Sequence, residues 1–455
     1  MGDRQEENET RVDSESLSLI EKKITEIHDD FEANVVGLKV PRELIYAMDL
    51  CYHSVDSFIF QGKQVEKGML EVLVVGDTRT GKSATIKALM NHFQRGDFIQ
   101  GESCTLAGLL GGVDEGANGN RFVKCGRLPL SHRQLVTIDE ANELSEDIVG
   151  KMSGVRSSGY FDIIKIVTGR ILCRIRLIWI ANPRSGRKIG EYSHGVESIP
   201  EVVGKPEDIA RFDIALIVGR KSIDIDSLYM KSRDKKKVPH KYTAALCRDL
   251  VMWAWSRKPE QVVIDSETED EILNWSKDFS EVYNETIPLV VETEIRIKIA
   301  RMSVALAARL YSTDETGQNI IVRPDHVSAV CWWLHCVYSS GTVAYKQYSE
   351  QRRSGNLGPE VAEVCEALGH KGMMAVLNLR IVTKSVLRDI FQNSSAGDVA
   401  FSKLLLGRAL QHKRSGFTIT EAFIDKMKKL KFSTQIEEEP SGSRLPGVQK
   451  ESMFE

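Results

Sequence analysis

Residues 76–83 carry two glycines, a lysine and a serine at the spacing G-x-x-x-x-G-K-S. Gly76 and Gly81 allow the backbone to curl, so that successive N–H groups point inward at phosphate oxygens. Lys82 can reach the β- and γ-phosphates of a nucleotide, and Ser83 can place its hydroxyl on Mg²⁺. The spacing therefore predicts a loop that binds ATP with Mg²⁺. The residues predicted to contact the nucleotide are Gly76, Asp77, Thr78, Arg79, Thr80, Gly81, Lys82, Ser83 and Ala84.

Two acids and an amide follow apolar runs further along the chain. Asp139 and Glu140 directly follow the short, mainly apolar run at residues 135–138. In phosphate-loop ATPases the first acid of such a pair holds Mg²⁺ through water, and the second polarises the attacking water. Ser83 and Asp139 are therefore the predicted metal residues. Asn182 ends the next apolar run, where its amide can orient that water, although an Asn before Pro is also an ordinary turn residue.

Arg211 precedes the apolar run 214–218. An arginine there can stabilise the charge that builds on the γ-phosphate, from the same or a neighbouring subunit. A surface salt bridge with Asp213 is the competing interpretation, and the residues alone favour it. The candidate catalytic residues are Lys82, Asp139, Glu140, Asn182 and Arg211.

These residues need strands and helices to hold them. The runs 72–75, 135–138 and 177–180 are short and apolar, and a helix is predicted over 84–93. Strands that alternate with helices imply a mainly parallel sheet with helices on both faces, so the predicted fold class is α/β. Two hairpins are also predicted, with turns at Asn118-Gly119-Asn120 and at Thr168-Gly169.

The second half of the chain has a helical pattern. Apolar residues recur at helical spacing over 242–255, 268–283, 292–310 and 324–338. Beyond a polar linker at 351–359, the sequence predicts helices over 384–391 and 399–412 and a strand over 416–420. That order is typical of a winged helix, with a helical bundle as the alternative. The predicted domains are a disordered tail over 1–16, an α/β ATPase core with N-terminal helices over 17–220, a helical lid over 221–350, a winged-helix domain over 360–432 and a disordered tail over 433–455.

Composition excludes few functions. The 455 residues carry a net charge of -3, so no global field indicates nucleic acid or membrane. No apolar run approaches the length of a membrane span, and the acidic start has no apolar segment typical of a secretory signal. We therefore expect a soluble protein of the cytoplasm (nucleoid) or the nucleus. None of the eight cysteines forms a C-x-x-C pair, so no zinc site is predicted.

Five motifs occur in an order that resembles the AAA+ motor of the minichromosome maintenance (MCM) helicases. They are Gly76-Asp77-x-x-Thr80-x-Lys82-Ser83, Gly126-x-Leu128-x-Leu130, Ile138-Asp139-Glu140, Ala181-Asn182-Pro183 and Arg211-Phe212-Asp213. The resemblance covers residues 33–340. It implies ATP bound between the subunits of a homo-hexameric or hetero-oligomeric ring, with Arg211 supplied in trans and a loader or accessory protein as a further partner.

The resemblance also implies contacts with DNA. Counting back from Asn182 places Arg170 where the family carries a pore-hairpin lysine, and Lys165 near the tip of the helix-2 insert. Both would grip phosphates without reading sequence, whereas a solvated hairpin is the competing interpretation. Arg296 substitutes for the sensor 2 arginine, because Glu294 stands at that position. Few residues precede the motor, so we expect the family's N-terminal domain to be absent.

Three functions compete at this point. The leading prediction is an ATP-driven DNA helicase or translocase that works as a ring. The alternative is a remodelling ATPase of the MoxR/magnesium-chelatase type that acts on a protein partner with the same nucleotide residues. A degenerate nucleotide-gated scaffold is the third, and the intact set of candidate catalytic residues argues against it.

Overall fold

The computed structural model describes residues 14–37, 39–115, 120–164, 168–220, 238–283, 286–353, 360–379, 381–407, 409–413, 416–420 and 423–424. The chain divides into two compact units, with the boundary after Arg353.

The first unit opens with two helices, α1 (Ser14–Asp30), which a π-helix over Phe31–Val36 continues, and α2 (Arg42–His53). Its strands up to residue 220 are β1 (Phe58–Phe60), β2 (Lys63–Val65), β3 (Glu71–Gly76), β4 (Asp97–Gln100), β5 (Gly111–Glu115), β6 (Arg121–Cys125), β7 (Leu135–Asp139), β8 (Tyr160–Ile164), β9 (Thr168–Leu172), β10 (Arg176–Ala181) and β11 (Ile214–Val218). The α-helices between them are α3 (Lys82–Phe93), α4 (Leu106–Leu109), α5 (Arg127–Leu130), α6 (Glu146–Lys151), α7 (Ser153–Ser158), α8 (Ile199–Val203) and α9 (Pro206–Ala210).

Five strands form the central sheet, in the order β11-β3-β10-β7-β4, and each neighbouring pair is parallel. All but the edge strand β4 are buried along their whole length. Continuous apolar runs of this kind are typical of parallel strands with both faces covered, and α2 packs against β3 and β10. The predicted α/β fold with a parallel sheet flanked by helices is confirmed. The carboxyl ends of the strands meet at one edge, which therefore brings together residues far apart in sequence.

Three antiparallel hairpins accompany the sheet in the described part of the first unit, and one of them pairs β1 with β2. β5 pairs with β6, with Glu115 opposite Arg121, so the first predicted hairpin is confirmed, although residues 116–119 lie outside the described part of the chain. β8 pairs with β9, with Ile164 opposite Thr168. The predicted turn at Thr168-Gly169 is wrong, because both residues pair within β9, Thr168 with Ile164 and Gly169 with Ile163.

The remainder of the first unit is mainly helical. Its elements are α10 (Ala244–Trp255), β12 (Val262–Ile264), α11 (Ser266–Val282), α12 (Ile295–Arg309), β13 (Ile320–Val322), α13 (Pro324–Ser339) and α14 (Tyr345–Arg353). The four helices predicted here are confirmed, with ends that differ by up to three residues. α12 is central, since it packs against α2, α11 and α13. In the described ranges, no helix combines the length and the apolar character that a membrane crossing requires.

The second unit contains α15 (Glu360–Leu377), α16 (Lys384–Phe391), α17 (Ser394–Leu406), β14 (Leu410–Lys413) and β15 (Gly416–Ile419). β14 and β15 form an antiparallel pair, and Val382 bridges to Phe417. Helix, helix, helix and hairpin is the order of a winged helix. The helix predicted over 399–412 is wrong at both ends. The observed helix α17 begins earlier, at Ser394, and residues 410–412 of the predicted helix belong to the strand β14.

Two predicted tails are largely outside the described residues. The exception is Ser14 to Ser16, which were predicted to be disordered and instead begin α1. The predicted tail 433–455 lies entirely beyond the described part of the chain.

Candidate nucleotide-binding site

The phosphate loop lies between the buried strand β3 and the start of α3, as predicted. Gly76 ends the strand so close to β11 that a Cβ there would lie 2.3 Å from the carbonyl oxygen of Val218. Gly81 has φ +73°, in the left-handed region that glycine tolerates best, and α3 begins at the next residue. The two glycines of the motif therefore have different tasks, one in strand packing and one in turning the loop.

The loop has the donors that an anion needs. Within the described residues, the backbone N–H groups of Thr78 to Gly81 have no hydrogen-bond acceptor. Thr78 and Arg79 are exposed, and Ala84 is exposed in the first turn of α3. Free N–H groups at a helix start are a recognised phosphate site. The residues present therefore fit a nucleotide triphosphate.

Lys82 is buried among oxygens of its own loop. Its Nζ donates to the carbonyl oxygens of Gly76 at 3.0 Å and Asp77 at 2.6 Å, and to Thr80 Oγ1 at 3.2 Å. These acceptors are neutral, so they compensate only part of the cost of burying an ammonium group. Burial lowers the pKa of Lys82 from 10.5 to about 8, against the opposing effect of the nearby carboxylates.

The acid pair lies beside the loop, at the end of β7. Ser83 Oγ donates to Asp139 Oδ1 at 2.9 Å, so the two predicted metal residues are in direct contact. A hydroxyl and a carboxylate are oxygen ligands of the kind that Mg²⁺ prefers. Glu140 follows with φ +53°, an uncommon conformation for a residue with a side chain. Burial, together with the charge of Asp139, raises the pKa of Glu140, which suits a group that must accept a proton near neutral pH.

Asn182 joins the lysine to the acid. Its Oδ1 accepts from Lys82 Nζ at 3.2 Å, and its Nδ2 donates to Glu140 Oε2 at 3.3 Å. The parallel sheet accounts for this convergence, because β3, β10 and β7 are neighbours and each residue follows the carboxyl end of its strand. Four of the candidate catalytic residues therefore share one site.

Two supporting residues of this site, Asn142 and Gly101, were not predicted, and neither were the contacts that Asp77 makes. Asn142 is buried, and its Oδ1 accepts from the backbone N–H of Asn182 at 3.0 Å. Gly101 lies so near Glu140 that a Cβ would come within 2.4 Å of the carbonyl oxygen of Glu140. Asp77 accepts from two backbone N–H groups after β10 and β11, at 2.8 and 3.1 Å. These contacts join distant segments, so no local sequence pattern indicates them.

Arg211 lies at the other end of the sheet. It directly follows α9 and precedes β11, whereas Lys82 follows the carboxyl end of the adjacent strand β3. Five strand residues at about 3.3 Å each put the separation on the order of 17 Å. The alternative salt bridge with Asp213 is wrong, because Arg211 pairs with Asp208 at 2.6 Å and Asp213 pairs with Arg301 at 2.8 Å.

Arg296 is also remote from the loop of its own chain. It lies in the first turn of α12 and donates to the carbonyl oxygen of Thr293 at 2.7 Å. Two residues later, Lys298 Nζ donates to the carbonyl oxygen of Phe212, at the amino end of β11, at 2.8 Å. The start of α12 is therefore anchored at the same end as Arg211. A contact of Arg296 with a nucleotide would have to reach an adjoining chain.

The predicted DNA contacts belong to the hairpin of β8 and β9. Arg170 lies in β9 and donates to both carboxylate oxygens of Asp162, at 2.9 and 3.1 Å. Its guanidinium also covers the ring of Tyr160, 4.1 Å from the ring centre. Lys165 lies outside the described residues, and in sequence it falls between these two strands rather than in the β5–β6 hairpin.

The strand, loop and helix with the converging acids and amide define a P-loop nucleotide-binding domain. A family model described as the MCM P-loop domain matches residues 25–227. This part of the chain is therefore similar to the P-loop domain of the MCM family.

Curated relatives carry names of the same family. A minichromosome maintenance protein of Saccharolobus solfataricus is 23% identical over 270 residues, which are 56% of this chain and 38% of the relative. A zygotic DNA replication licensing factor, mcm6-B, of Xenopus laevis is 24% identical over 57% of this chain and 31% of the relative. The DNA helicase MCM8 of Gallus gallus is 25% identical over 33% of this chain and 18% of the relative. The chain thus spans well under two thirds of the length of these relatives.

Proposed function

We propose that this protein is an ATP-hydrolysing motor of the MCM type that acts on DNA. The observation that carries the proposal is the convergence of Lys82, Asp139, Glu140 and Asn182 on one loop, with hydrogen bonds of 3.2 and 3.3 Å through Asn182. The relative of Gallus gallus is named a DNA helicase, and the relative of Xenopus laevis is named a DNA replication licensing factor.

Each residue has a task in hydrolysis that its contacts suit. Lys82 would exchange its loop carbonyls for the β- and γ-phosphates, and Ser83 and Asp139 would hold Mg²⁺, whose charge offsets that of the phosphates. Glu140 would take a proton from the attacking water, and Asn182 would fix its orientation. Changing Glu140 to Gln should leave ATP bound but slow turnover by roughly 10²–10⁴-fold. Unchanged turnover in Glu140→Gln would remove this assignment.

The separation of Arg211 from Lys82 supports an assembly in which each chain completes the site of the next. A contact between two different surfaces repeats head to tail and closes into a ring when the rotation permits. Such a ring would contain copies of this chain or related chains. Mixing Lys82→Ala with Arg211→Ala, each strongly impaired alone, should restore about a quarter of the interfaces. No recovery in the mixture would place Arg211 outside the neighbour's site.

The DNA contact is assigned to the exposed hairpin that carries Arg170, together with Lys165. An arginine there would bind backbone phosphates without sequence preference, with an affinity that falls steeply as salt rises. The pairing of Arg170 with Asp162 favours the alternative, a protein-remodelling ATPase, because the arginine charge is already matched. DNA binding therefore requires that a phosphate replace Asp162 or share the guanidinium with it.

The test is the ATPase rate with and without forked DNA at low salt. We expect stimulation by DNA in the wild type and its loss in Arg170→Ala. Arg127→Ala is a matched control, since Arg127 is also exposed and binds both oxygens of an acid, Asp97, at 2.9 and 2.5 Å. ATPase activity that no DNA stimulates, together with capture of a defined protein client, would establish the remodelling function instead.

A further inference from the structure

Arg211 is held in place on one side of its guanidinium group. Its Nη1 donates to Asp208 Oδ1 at 2.6 Å and to the carbonyl oxygen of Glu207 at 3.1 Å, and its Nη2 donates to Ser153 Oγ at 2.8 Å. The Nε–H and the second hydrogen of Nη2 have no acceptor within the described ranges. About a quarter of the side chain, 24%, is exposed. Arg211 thus keeps donors for a ligand from outside the chain.

Asp208 is shared between two arginines. Its Oδ1 accepts from Arg211 and, at 3.0 Å, from Arg156 Nη1, while its carbonyl oxygen accepts from Arg156 Nη2 at 2.8 Å. Asp208 is buried and Arg156 is fully buried. A buried carboxylate between two guanidinium groups has little freedom to move, because its displacement would leave a buried charge unpaired.

Arg156 is itself fixed to the strand that leads into the phosphate loop. Its Nε donates to Glu71 Oε1 at 2.6 Å, and Glu71 is the first residue of β3. Its guanidinium lies over the rings of Trp179 and Phe212, 5.0 and 4.6 Å from their centres. A continuous buried chain of contacts therefore connects Glu71 through Arg156 and Asp208 to Arg211.

We propose that Asp208, held by Arg156, is a positioning residue that presents the free N–H groups of Arg211 to a phosphate of an adjoining chain. This inference rests on the proposed ATPase function and adds residues to it. An arginine whose side chain is already ordered loses less freedom when it meets the charge of the reacting phosphate, so its contribution falls on the chemical step rather than on nucleotide affinity.

The experiment compares Asp208→Asn with the wild type in the assembled protein. Asparagine preserves the shape and one acceptor but removes the charge shared by the two arginines. We expect kcat for ATP hydrolysis to fall roughly 10- to 100-fold while KM stays within about twofold. Asp398→Asn is the matched control, since Asp398 also accepts from an arginine, Arg388, at 2.9 and 2.7 Å, but lies in the second unit; its kcat should equal that of the wild type.

A double-mutant cycle separates positioning from a general structural role. Adding Asp208→Asn to Arg211→Ala should cause no further loss of kcat, because the residue to be positioned is gone. Additive losses, or a wild-type rate in Asp208→Asn alongside a strongly slowed Arg211→Ala, would overturn the positioning role and leave the proposed function intact. A wild-type rate in Arg211→Ala would overturn the proposed role of Arg211, and the positioning role with it.

Discussion

The lowered pKa of Lys82 allows the pH dependence of ATP affinity to be predicted quantitatively. Burial lowers its pKa from 10.5 to about 8, and the oxygens that its Nζ contacts are all neutral. A triphosphate brings several negative charges to the same atom and therefore raises that pKa again. Between pH 8 and the higher pKa of the complex, binding must take up one proton.

This proton uptake determines how the affinity for ATP changes with pH. Affinity is greatest below about pH 8, where the lysine is already charged, and falls as the pH rises, by about tenfold per pH unit. If the complex regains the ordinary pKa of lysine, 10.5, the difference of about 2.5 pH units limits the total loss to about 300-fold.

Equilibrium titration with a fluorescent ATP analogue, from about pH 7 to about pH 9.5, measures this directly. Lys82→Arg is the control, because a guanidinium stays protonated throughout that range. Its affinity should be weaker but nearly independent of pH. An affinity of the wild type that does not change above pH 8, or an equal slope in Lys82→Arg, would refute the reasoning.

Three further predictions concern single positions. Glu140 has a raised pKa, so the acidic limb of the pH–rate profile for ATP hydrolysis should lie above 4.5, the ordinary value for a glutamate; a limb at or below that value would contradict its role as the base. Gly101→Ala should displace the backbone of Glu140, which a Cβ would approach to 2.4 Å, and lower kcat at least tenfold with little change in nucleotide affinity; a wild-type kcat would count against this support. Gly397→Ala should destabilise the second unit by about 2 kcal/mol or more in denaturant unfolding, because the new Cβ would lie 2.5 Å from the backbone of Arg388; wild-type stability would show that the two helices can separate freely.

The geometry of the candidate nucleotide site was predictable because its signals are local. The glycine spacing and the apolar run before it indicate strand, loop and helix at residues 72–93, and parallel strands necessarily share a carboxyl edge. Asp139 and Asn182 were found for the same reason, since each ends a buried strand. What the residues could not show is which partner each side chain would choose. Arg211 forms its ion pair with Asp208, three residues earlier, because Asp213 is already paired with Arg301 of a helix that is distant in sequence.

The errors in the predicted secondary structure also have physical causes. β4 was not predicted, because Asp97–Gln100 is an edge strand with two apolar residues and no long buried run. The helix predicted up to His412 ignored Gly407, which ends α17 and lies so close to α15 that a Cβ would meet Val361 at 2.3 Å. Leucines on both sides of that glycine continue the helical spacing, although Leu410 belongs to a strand.

The placement of Lys82 and Arg211 at opposite ends of one sheet bears on how activity depends on protein concentration. If the proposed roles hold, a single chain carries Lys82 of one ATP site and Arg211 of another, so it cannot complete either site by itself. An open string of copies leaves one loop uncapped, whereas a closed ring leaves none. The ATPase rate per chain should therefore rise steeply with protein concentration and reach a plateau once the rings have closed. Dilution of the protein should by itself abolish its activity.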